Sequence, residues 1–275
     1  MAQIRFRFSH FSVTLALKLA LLTSVFIIVQ TPQALLAQGI PRRWEAKQYR
    51  PPIGIGTPAR TEGGGTRSGS TSNQTCPLVS GKPLTALVPS NRFGVTVAPH
   101  PTFFVYMPAV SSQATPLSVE FDLQDGDGNV VYKSTFKTSG KPGVLTLTLP
   151  SQAGLTPLAI GQDYKWSFTV MCRSDERSQD VTVEGWVRRV ELNPGLNNRL
   201  QQASPQQQVE LYAEAEIWHD ALATLVQLRR DNPNDAAIAA NWERLLSAAG
   251  LNDIAKESLV ASPTTAEDQF TFVQP

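Results

Sequence analysis

Few residues of this 275-residue chain have the type and spacing that catalysis or metal binding requires. His100 lies between two prolines and His219 follows a tryptophan, and neither has a second histidine at a metal-binding spacing. The sequence contains no His-Glu-x-x-His zinc motif and no Gly-x-Ser-x-Gly nucleophile elbow. We therefore predict that the protein is not an enzyme and binds neither a metal nor a small-molecule cofactor.

One short acidic segment could offer oxygen ligands to calcium. Asp125, Asp127 and Asn129 occupy the first, third and fifth places of such a loop. The twelfth place, where a bidentate glutamate is needed, is Phe136. Aspartate, glycine and asparagine are also the residues that a tight hairpin turn demands, so we favour a hairpin over a calcium site.

The chain begins with a pattern typical of a secretory signal peptide. Arg5 and Arg7 precede an apolar run that is continuous over residues 19–29, and Pro32 follows it. This run is short for a bilayer-spanning helix, which needs about 20 apolar residues. We predict cleavage after Ala37 and export to the periplasm or the extracellular space, with an uncleaved membrane anchor as the alternative.

The two cysteines, Cys76 and Cys172, are not part of a Cys-x-x-Cys pair. An even number of cysteines in an exported chain favours a disulfide. That bond would close a loop of about 100 residues and could stabilise the fold by roughly 4 to 5 kcal/mol. The alternative is two separate buried thiols.

Residues 38–75 are rich in proline, glycine and serine and contain few apolar side chains. Such a segment cannot bury enough surface to offset the entropy cost of ordering it, so we predict a flexible arm. Its glycine run Gly63-Gly64-Gly65 lacks the Gly-Lys-Ser/Thr ending of a phosphate-binding loop.

From Cys76 onward, apolar and polar residues alternate in short runs separated by turn residues, which is the pattern of half-buried strands. Val119, Phe121 and Leu123, for example, share one face of their run. Seven or eight such runs without intervening helices predict an antiparallel, immunoglobulin-like β-sandwich over residues 76–192. The runs are residues 84–88, 93–98, 102–107, 117–124, 130–137, 144–149, 164–172 and 181–190.

After Asn193-Pro194-Gly195, which we interpret as a linker, the apolar residues recur with a helical period. Ser204, Pro205 and Gln207 form a capping box with a first-turn proline and predict a helix start. Two more helices are predicted, one ending near residue 231 and one from about 234 to 250. About one and a half tetratricopeptide-like units cannot close a core alone, so we expect them to pack on the sandwich.

Trp186 lies in the last predicted strand, on the face that also carries Glu184 and Arg188. An indole on a polar face needs a partner. It could pack under a loop, or in the core after a bulge at Gly185; it could dock the helical module; or it could stack on a sugar. We prefer docking to sugar stacking, and we take Trp186, Arg188 and Glu184 as the candidate docking or binding surface.

Several short motifs along the chain occur together in one known family. They are Arg50-Pro51-Pro52, Gly63-Gly64-Gly65-Thr66-Arg67, Leu84-Thr85-Ala86-Leu87-Val88-Pro89, Pro101-Thr102-Phe103-Phe104-Val105-Tyr106-Met107-Pro108 and Glu184-Gly185-Trp186-Val187-Arg188-Arg189-Val190. As a set, over about residues 50 to 251, they resemble the cyanobacterial family of domain of unknown function 928. The resemblance implies a cyanobacterial, exported β-sandwich protein with a helical C-terminal region, and it supplies no catalytic residue.

These patterns predict a mainly β protein with an α-helical C-terminal module. The predicted segments are a signal peptide (1–37), an arm (38–75), a β-sandwich (76–192), a helical module (193–255) and a mobile tail (256–275). The chain has 24 Lys and Arg residues and 23 Asp and Glu residues, so its net charge is close to zero and nucleic-acid binding is not expected. The predicted function is a non-catalytic interaction or structural protein of the cell envelope with a protein partner there. A carbohydrate-binding module is the alternative, and a hydrolase is a more distant one.

Overall fold

A computed structural model describes residues 76–78, 81–111, 117–151, 155–173 and 176–260 of the protein. The predicted signal peptide, the predicted arm and residues 261–275 lie outside the described residues. The described ranges all fall in one compact unit. They contain no helix that is long and apolar enough to cross a membrane.

Eight strands lie in the described residues, and each overlaps a predicted run. They are β1 (Thr85–Ala86), β2 (Phe93–Thr96), β3 (Thr102–Met107), β4 (Ser118–Gln124), β5 (Val130–Lys137), β6 (Gly143–Thr148), β7 (Asp163–Met171) and β8 (Val181–Arg189). One sheet has the order β1-β3-β6, and the other has the order β2-β8-β7-β4-β5. All described pairs of strands are antiparallel except the parallel pair β2 and β8.

The two sheets share one hydrophobic core. Phe103 of β3 contacts Phe121 of β4 and Trp166 of β7, with ring centroids 5.1 Å and 5.2 Å away. The alternation predicted for β4 is confirmed, because Val119, Phe121 and Leu123 are all completely buried. The sheets therefore pack face to face through the side chains that the period of two places on one side of each strand.

The three-stranded sheet is also buried on its other face. Phe104 and Tyr106 of β3 and Val144 of β6 belong to a second core that they share with helical residues such as Leu222 and Leu245. A strand with apolar residues on both faces needs a cover on both faces. The described chain is thus layered, with the five-stranded sheet, the three-stranded sheet and the helices in that order.

Four α-helices form the third layer: α1 (Pro194–Gln202), α2 (Pro205–Glu214), α3 (Trp218–Asp231) and α4 (Ala236–Ala248). The predicted start of α2 is confirmed, because the Ser204 side chain accepts a hydrogen bond from the Gln207 amide and the Gln207 side chain accepts one from the Ser204 amide. Gly250, with φ of 81°, follows the end of α4 as predicted.

The predicted linker at Asn193-Pro194-Gly195 is wrong, since helix α1 begins there. The Asn193 side chain accepts hydrogen bonds from the amides of Gly195 and Leu196, and Pro194 is the first helical residue. An asparagine cap followed by proline is a helix-start signal in its own right. Asparagine and proline occur both in linkers and at helix starts, so these residue types alone do not distinguish the two.

The predicted tail also begins too early. The Val144 amide donates to the Ser258 carbonyl oxygen at 2.8 Å, and the Val260 amide donates to the Val144 carbonyl oxygen at 3.1 Å. This short parallel bridge adds residues around Leu259 to the β6 edge. Residues 256–260 are therefore part of the fold.

Cys76 and Cys172 form a disulfide, as predicted. Their Cα atoms are 4.9 Å apart, and 96 positions separate them along the chain. Cys172 directly follows β7, so the bond ties the beginning of the described chain to the five-stranded sheet.

The hairpin predicted between β4 and β5 is confirmed. The Asp125 carboxylate accepts hydrogen bonds from the amides of Asp127 and Asn129 and from the Asn129 side chain, each at 2.9 Å. The bond from the Asn129 side chain is the main cause that lowers the pKa of Asp125. Both carboxylate oxygens of Asp125 therefore serve the turn, which favours the hairpin interpretation over the calcium one.

Gly185 lies under the indole of Trp166, which is completely buried. A Cβ atom at Gly185 would lie 2.9 Å from three atoms of that indole. The register of β7 and β8 runs through Gly185 without a shift, so the bulge considered at this position is not there. Glycine provides the space that the largest side chain of the core needs.

We predict that Gly185→Ala lowers the free energy of unfolding by about 1 to 3 kcal/mol, because the overpacked core must shift. Gly126→Ala is the matched control, since the nearest atom to its Cβ would be the Asp163 carbonyl oxygen at 3.7 Å. We expect the control to stay within about 0.5 kcal/mol of the wild type. Urea denaturation measures both, and equal losses would contradict this account of Gly185.

Candidate functional site

Glu184, Trp186 and Arg188 project from the face of the five-stranded sheet that points away from the shared core. Their neighbours Gly185 and Val187 are buried on the core side. Trp186 is half-buried. In register it pairs with Phe93 of β2 and Lys165 of β7. We call this surface the outer face.

Arg188 is held on the outer face by a bidentate ion pair. Its Nε and Nη2 atoms donate to the two carboxylate oxygens of Asp163 at 2.5 Å and 2.6 Å. Its guanidinium also lies over the Phe93 ring, 5.5 Å from the centroid. The bond to Asp163 is the main cause that raises the pKa of Arg188. The arginine is therefore positioned by the sheet itself.

Glu184 is neutralised in a similar way. Its carboxylate lies 3.0 Å from Lys165 Nζ and 3.8 Å from Arg92 Nη1. Further along the same sheet, Glu120 pairs with Lys133 at 3.1 Å and with Arg177 at 3.4 Å. The outer face is thus a set of paired charges, with the indole of Trp186 beside them.

A second polar site lies where the helices meet the sheets, and three consecutive residues at the start of α3 form it. The Trp218 indole donates to the Leu87 carbonyl oxygen at 3.0 Å. His219 Nδ1 is 3.0 Å from the Thr102 carbonyl oxygen. Asp220 follows in the same turn. We call Trp218, His219 and Asp220 with their bonded partners the α3 joint.

Asp220 attaches α3 to the end of β2. Its Oδ2 atom accepts hydrogen bonds from the Thr96 hydroxyl at 2.8 Å and from the Val97 amide at 3.1 Å. The residue keeps some exposed surface, but its carboxylate is directed at the strand, where burial raises its pKa to about 6. The bond from Thr96 is the largest effect that opposes this rise.

His219 closes one side of the shared core and is 2% exposed. Its ring meets Phe103 edge-on, with centroids 5.3 Å apart. A Cβ atom at Gly94 would lie 2.5 Å from His219 Nε2, so only glycine leaves room for the ring. Burial lowers the pKa of His219 to about 4. Since the Thr102 carbonyl can only accept, the neutral ring carries its proton on Nδ1.

The structure brings Trp186, Arg188 and Glu184 together on one face, as the sequence predicts. Along β2, Phe93 lies on the outer face, whereas Gly94 and Thr96 point to the opposite face. Helix α3 contacts that opposite face through His219 and Asp220. The α3 joint makes contacts of the helices with β2 and β3, and docking of the helices through Trp186 stays a prediction. A role of the outer face in binding another molecule stays a prediction.

The sequence places His219 beside Trp218, but this spacing alone does not predict the α3 joint. The available signals are Gly94 between two apolar residues of a strand and Asp220 in the first turn of a helix. The other candidate histidine, His100, is bonded through Nε2 to the Leu155 carbonyl oxygen at 3.2 Å. Within the described ranges, no group of three or more His, Cys, Asp or Glu side chains could hold a metal ion.

Comparison with known proteins identifies the family. The family described as Domain of Unknown Function (DUF928) matches residues 62–259. The chain belongs to the DUF928 family. No curated protein matches the chain. Among solved structures, "The crystal structure of CopC from Methylosinus trichosporium OB3b" is similar at 17% sequence identity and a TM-score of 0.28, and the match covers 40% of this chain and 97% of that chain.

The α3 joint of this DUF928 protein can be tested with two tryptophans that are equally buried. Trp218 and Trp242 are each 1% exposed. The indole of Trp218 donates to Leu87, whereas the Trp242 indole nitrogen is buried without a hydrogen-bond partner. We predict that Trp218→Phe costs about 1 to 2 kcal/mol more than Trp242→Phe, because it leaves a buried carbonyl unpaired. Chemical denaturation gives both values, and equal costs would contradict a role for this hydrogen bond.

Proposed function

We propose that this DUF928 protein is an exported, non-catalytic interaction or structural protein of a cyanobacterial cell envelope. In this proposal an immunoglobulin-like sandwich carries a tetratricopeptide-like helical segment. One observation carries the proposal. Among the described residues, His219 and Asp220 have the most strongly shifted pKa values, and both side chains form hydrogen bonds that hold the layers together.

Strongly shifted pKa values usually mark functional sites, but they also occur in structural networks. His219 is enclosed between Phe103, Gly94 and the Thr102 carbonyl, so a substrate has no path to its ring in this packing. The Asp220 carboxylate is occupied by two donors of β2. These contacts favour a structural over a catalytic role for the pair.

The disulfide supports export. Disulfides form and persist in oxidising compartments, and they are rare in the reducing cytosol. The bond between Cys76 and Cys172 closes a long loop across the sheets. It agrees with the basic start and the apolar N-terminal segment, which are typical of a signal peptide.

We predict that the mature protein begins at Gln38, because the basic start and short apolar run direct export and Ala37 ends the predicted leader. Mass spectrometry of the intact protein from its native compartment tests this directly. A membrane-bound protein that retains residues 1–37 would contradict cleavage, although it would still agree with an envelope location.

The outer face is the surface that we assign to a protein partner. Tryptophan and arginine are enriched at the centres of protein interfaces, where neighbouring contacts exclude water. Arg188 and Glu184 are already positioned by Asp163 and Lys165, so a partner would meet an ordered surface. Ordering fewer side chains on binding lowers the entropy cost of association.

We predict that the wild-type protein can be cross-linked to a protein partner in the envelope fraction of its own cells, and that Trp186→Ala abolishes this cross-link. Truncating a central aromatic side chain of an interface typically costs at least about 2 kcal/mol of binding energy. Ile160→Ala is the control, because Ile160 is apolar and 53% exposed and pairs with Arg189, which points to the opposite side of β8 from Arg188. A partner that both variants retain would place the interface away from the outer face.

The same variants separate the carbohydrate-binding alternative from the protein-partner proposal. An indole beside paired charges could stack on a sugar ring while the polar groups bind its hydroxyls. In that case the wild-type protein would sediment with protein-free cell-wall polysaccharide, and Trp186→Ala would not. Sedimentation without cross-linked protein would favour the carbohydrate alternative.

A further inference from the structure

The α3 joint contains two adjacent ionisable side chains whose environments act in opposite directions. His219 is neutral in the closed joint, where it contacts β2 and β3. Asp220 directs its carboxylate at β2. Neither residue belongs to an ion pair among the described residues. Separating α3 from the strands would bring both groups into water together.

Few other ionisable groups face this joint. From α2, Tyr212 is close enough for the charge of Asp220 to contribute to raising its pKa, after the larger effect of burial, so it stays neutral near pH 7 and below. From β8, Arg189 pairs in register with Thr96, and its guanidinium donates to the Leu158 carbonyl oxygen at 2.9 Å. The contacts from β2 and β3 themselves come from Thr96, Val97 and Thr102, which do not titrate.

We propose that His219 and Asp220 form a proton-compensating joint: when the helices separate from β2 and β3, the imidazole takes up a proton and the carboxyl group releases one. The proton count of the joint then changes little on opening, and its attachment to the strands is almost independent of pH in mildly acidic solution. This inference concerns how the layers are held together and does not depend on the proposed function.

Each residue alone would make the joint sensitive to pH. His219 has a pKa lowered from 6.5 to about 4. Its contribution to stability is present above pH 6.5 and is lost as the pH falls to about 4. Asp220 has a pKa raised from 3.8 to about 6. Its contribution is present below pH 3.8 and is lost as the pH rises to about 6.

The two effects are similar in size and opposite in sign. One pKa unit corresponds to a tenfold factor in an equilibrium constant, so each residue alone changes the opening constant by roughly 100-fold between pH 4 and pH 7. Because the two factors act in opposite directions, together they leave a change of only about twofold over that interval. Compensation therefore needs both residues in the same cooperative contact.

Four versions of the mature protein test the proposal: the wild type, Asp220→Asn, His219→Asn and the double variant. Asparagine at 220 keeps an oxygen acceptor, and asparagine at 219 keeps an N–H donor near the Nδ1 position. The unfolding equilibrium constant of each is measured in urea from pH 4 to pH 7. Ratios to the wild type remove the contributions of all other titrating groups.

Relative to the wild type, Asp220→Asn should unfold about 50-fold more readily at pH 4 than at pH 7. His219→Asn should show the opposite trend, with a change of about 100-fold in favour of unfolding at pH 7. The double variant should match the wild-type profile. Parallel profiles for the wild type and the single variants would overturn the proposal, and so would a double variant that keeps the slope of either one.

Direct titration of the wild type by NMR keeps the proposal testable if a variant does not fold. The His219 ring nitrogens should report a neutral imidazole with the proton on Nδ1 down to about pH 4, and the Asp220 carboxyl carbon should titrate near pH 6. An Asp220 that titrates near 4, or a His219 that is charged at pH 6, would overturn the proposal.

Discussion

Strand β3 is apolar on both faces, and the arrangement of the layers follows from this. Phe103 and Val105 fill the space between the sheets, while Phe104 and Tyr106 point to the helices. Burying one large apolar side chain contributes about 1.5 to 3 kcal/mol, so neither face can be left in water without a substantial loss of stability. The five-stranded sheet covers one face, and helices α3 and α4 cover the other. The helical segment is therefore a layer of the fold and not an appended domain.

The joint between these layers also solves a problem of the sheet edge. β2 lies at the edge of its sheet, and the backbone amides along its unpaired edge need hydrogen-bond acceptors. The Phe93 amide donates to the Asn91 side chain, the Val97 amide to Asp220 and the Ala98 amide to the Thr96 hydroxyl. One of these caps comes from α3, so the same carboxylate holds the helix and covers the strand end. A partly buried carboxylate without a counter-ion is tolerated there because it accepts two hydrogen bonds in the first turn of a helix.

The electrostatic character of the protein divides along the same lines. Paired charges lie on the outer face, and where one partner is exposed, as in Lys133 with Glu120, solvent makes the pair worth little to stability. The groups with large pKa shifts lie inside, at the joint, where low polarity makes each hydrogen bond matter more. The two largest pKa shifts among the described residues thus follow from the packing of the layers, while the outer face carries paired charges around Trp186.

Much of the local structure could be predicted because its causes lie within a few residues. Short-range sequence patterns predict the alternation in β4, the turn at Asp125 and the capping box at Ser204. The disulfide between Cys76 and Cys172 was predicted because the chain contains an even number of cysteines. Helix α1 was missed although its signal at Asn193 is equally local, because the same residues also suit a turn. The α3 joint could not be predicted: Trp218 meets Leu87 across 131 positions, and His219 meets Thr102 across 117. The side chains that pack against Gly94 and Gly185, and the face of the sheet on which Trp186 lies, depend on how distant strands and helices come together. Residue spacing along the sequence contains no information about these long-range contacts.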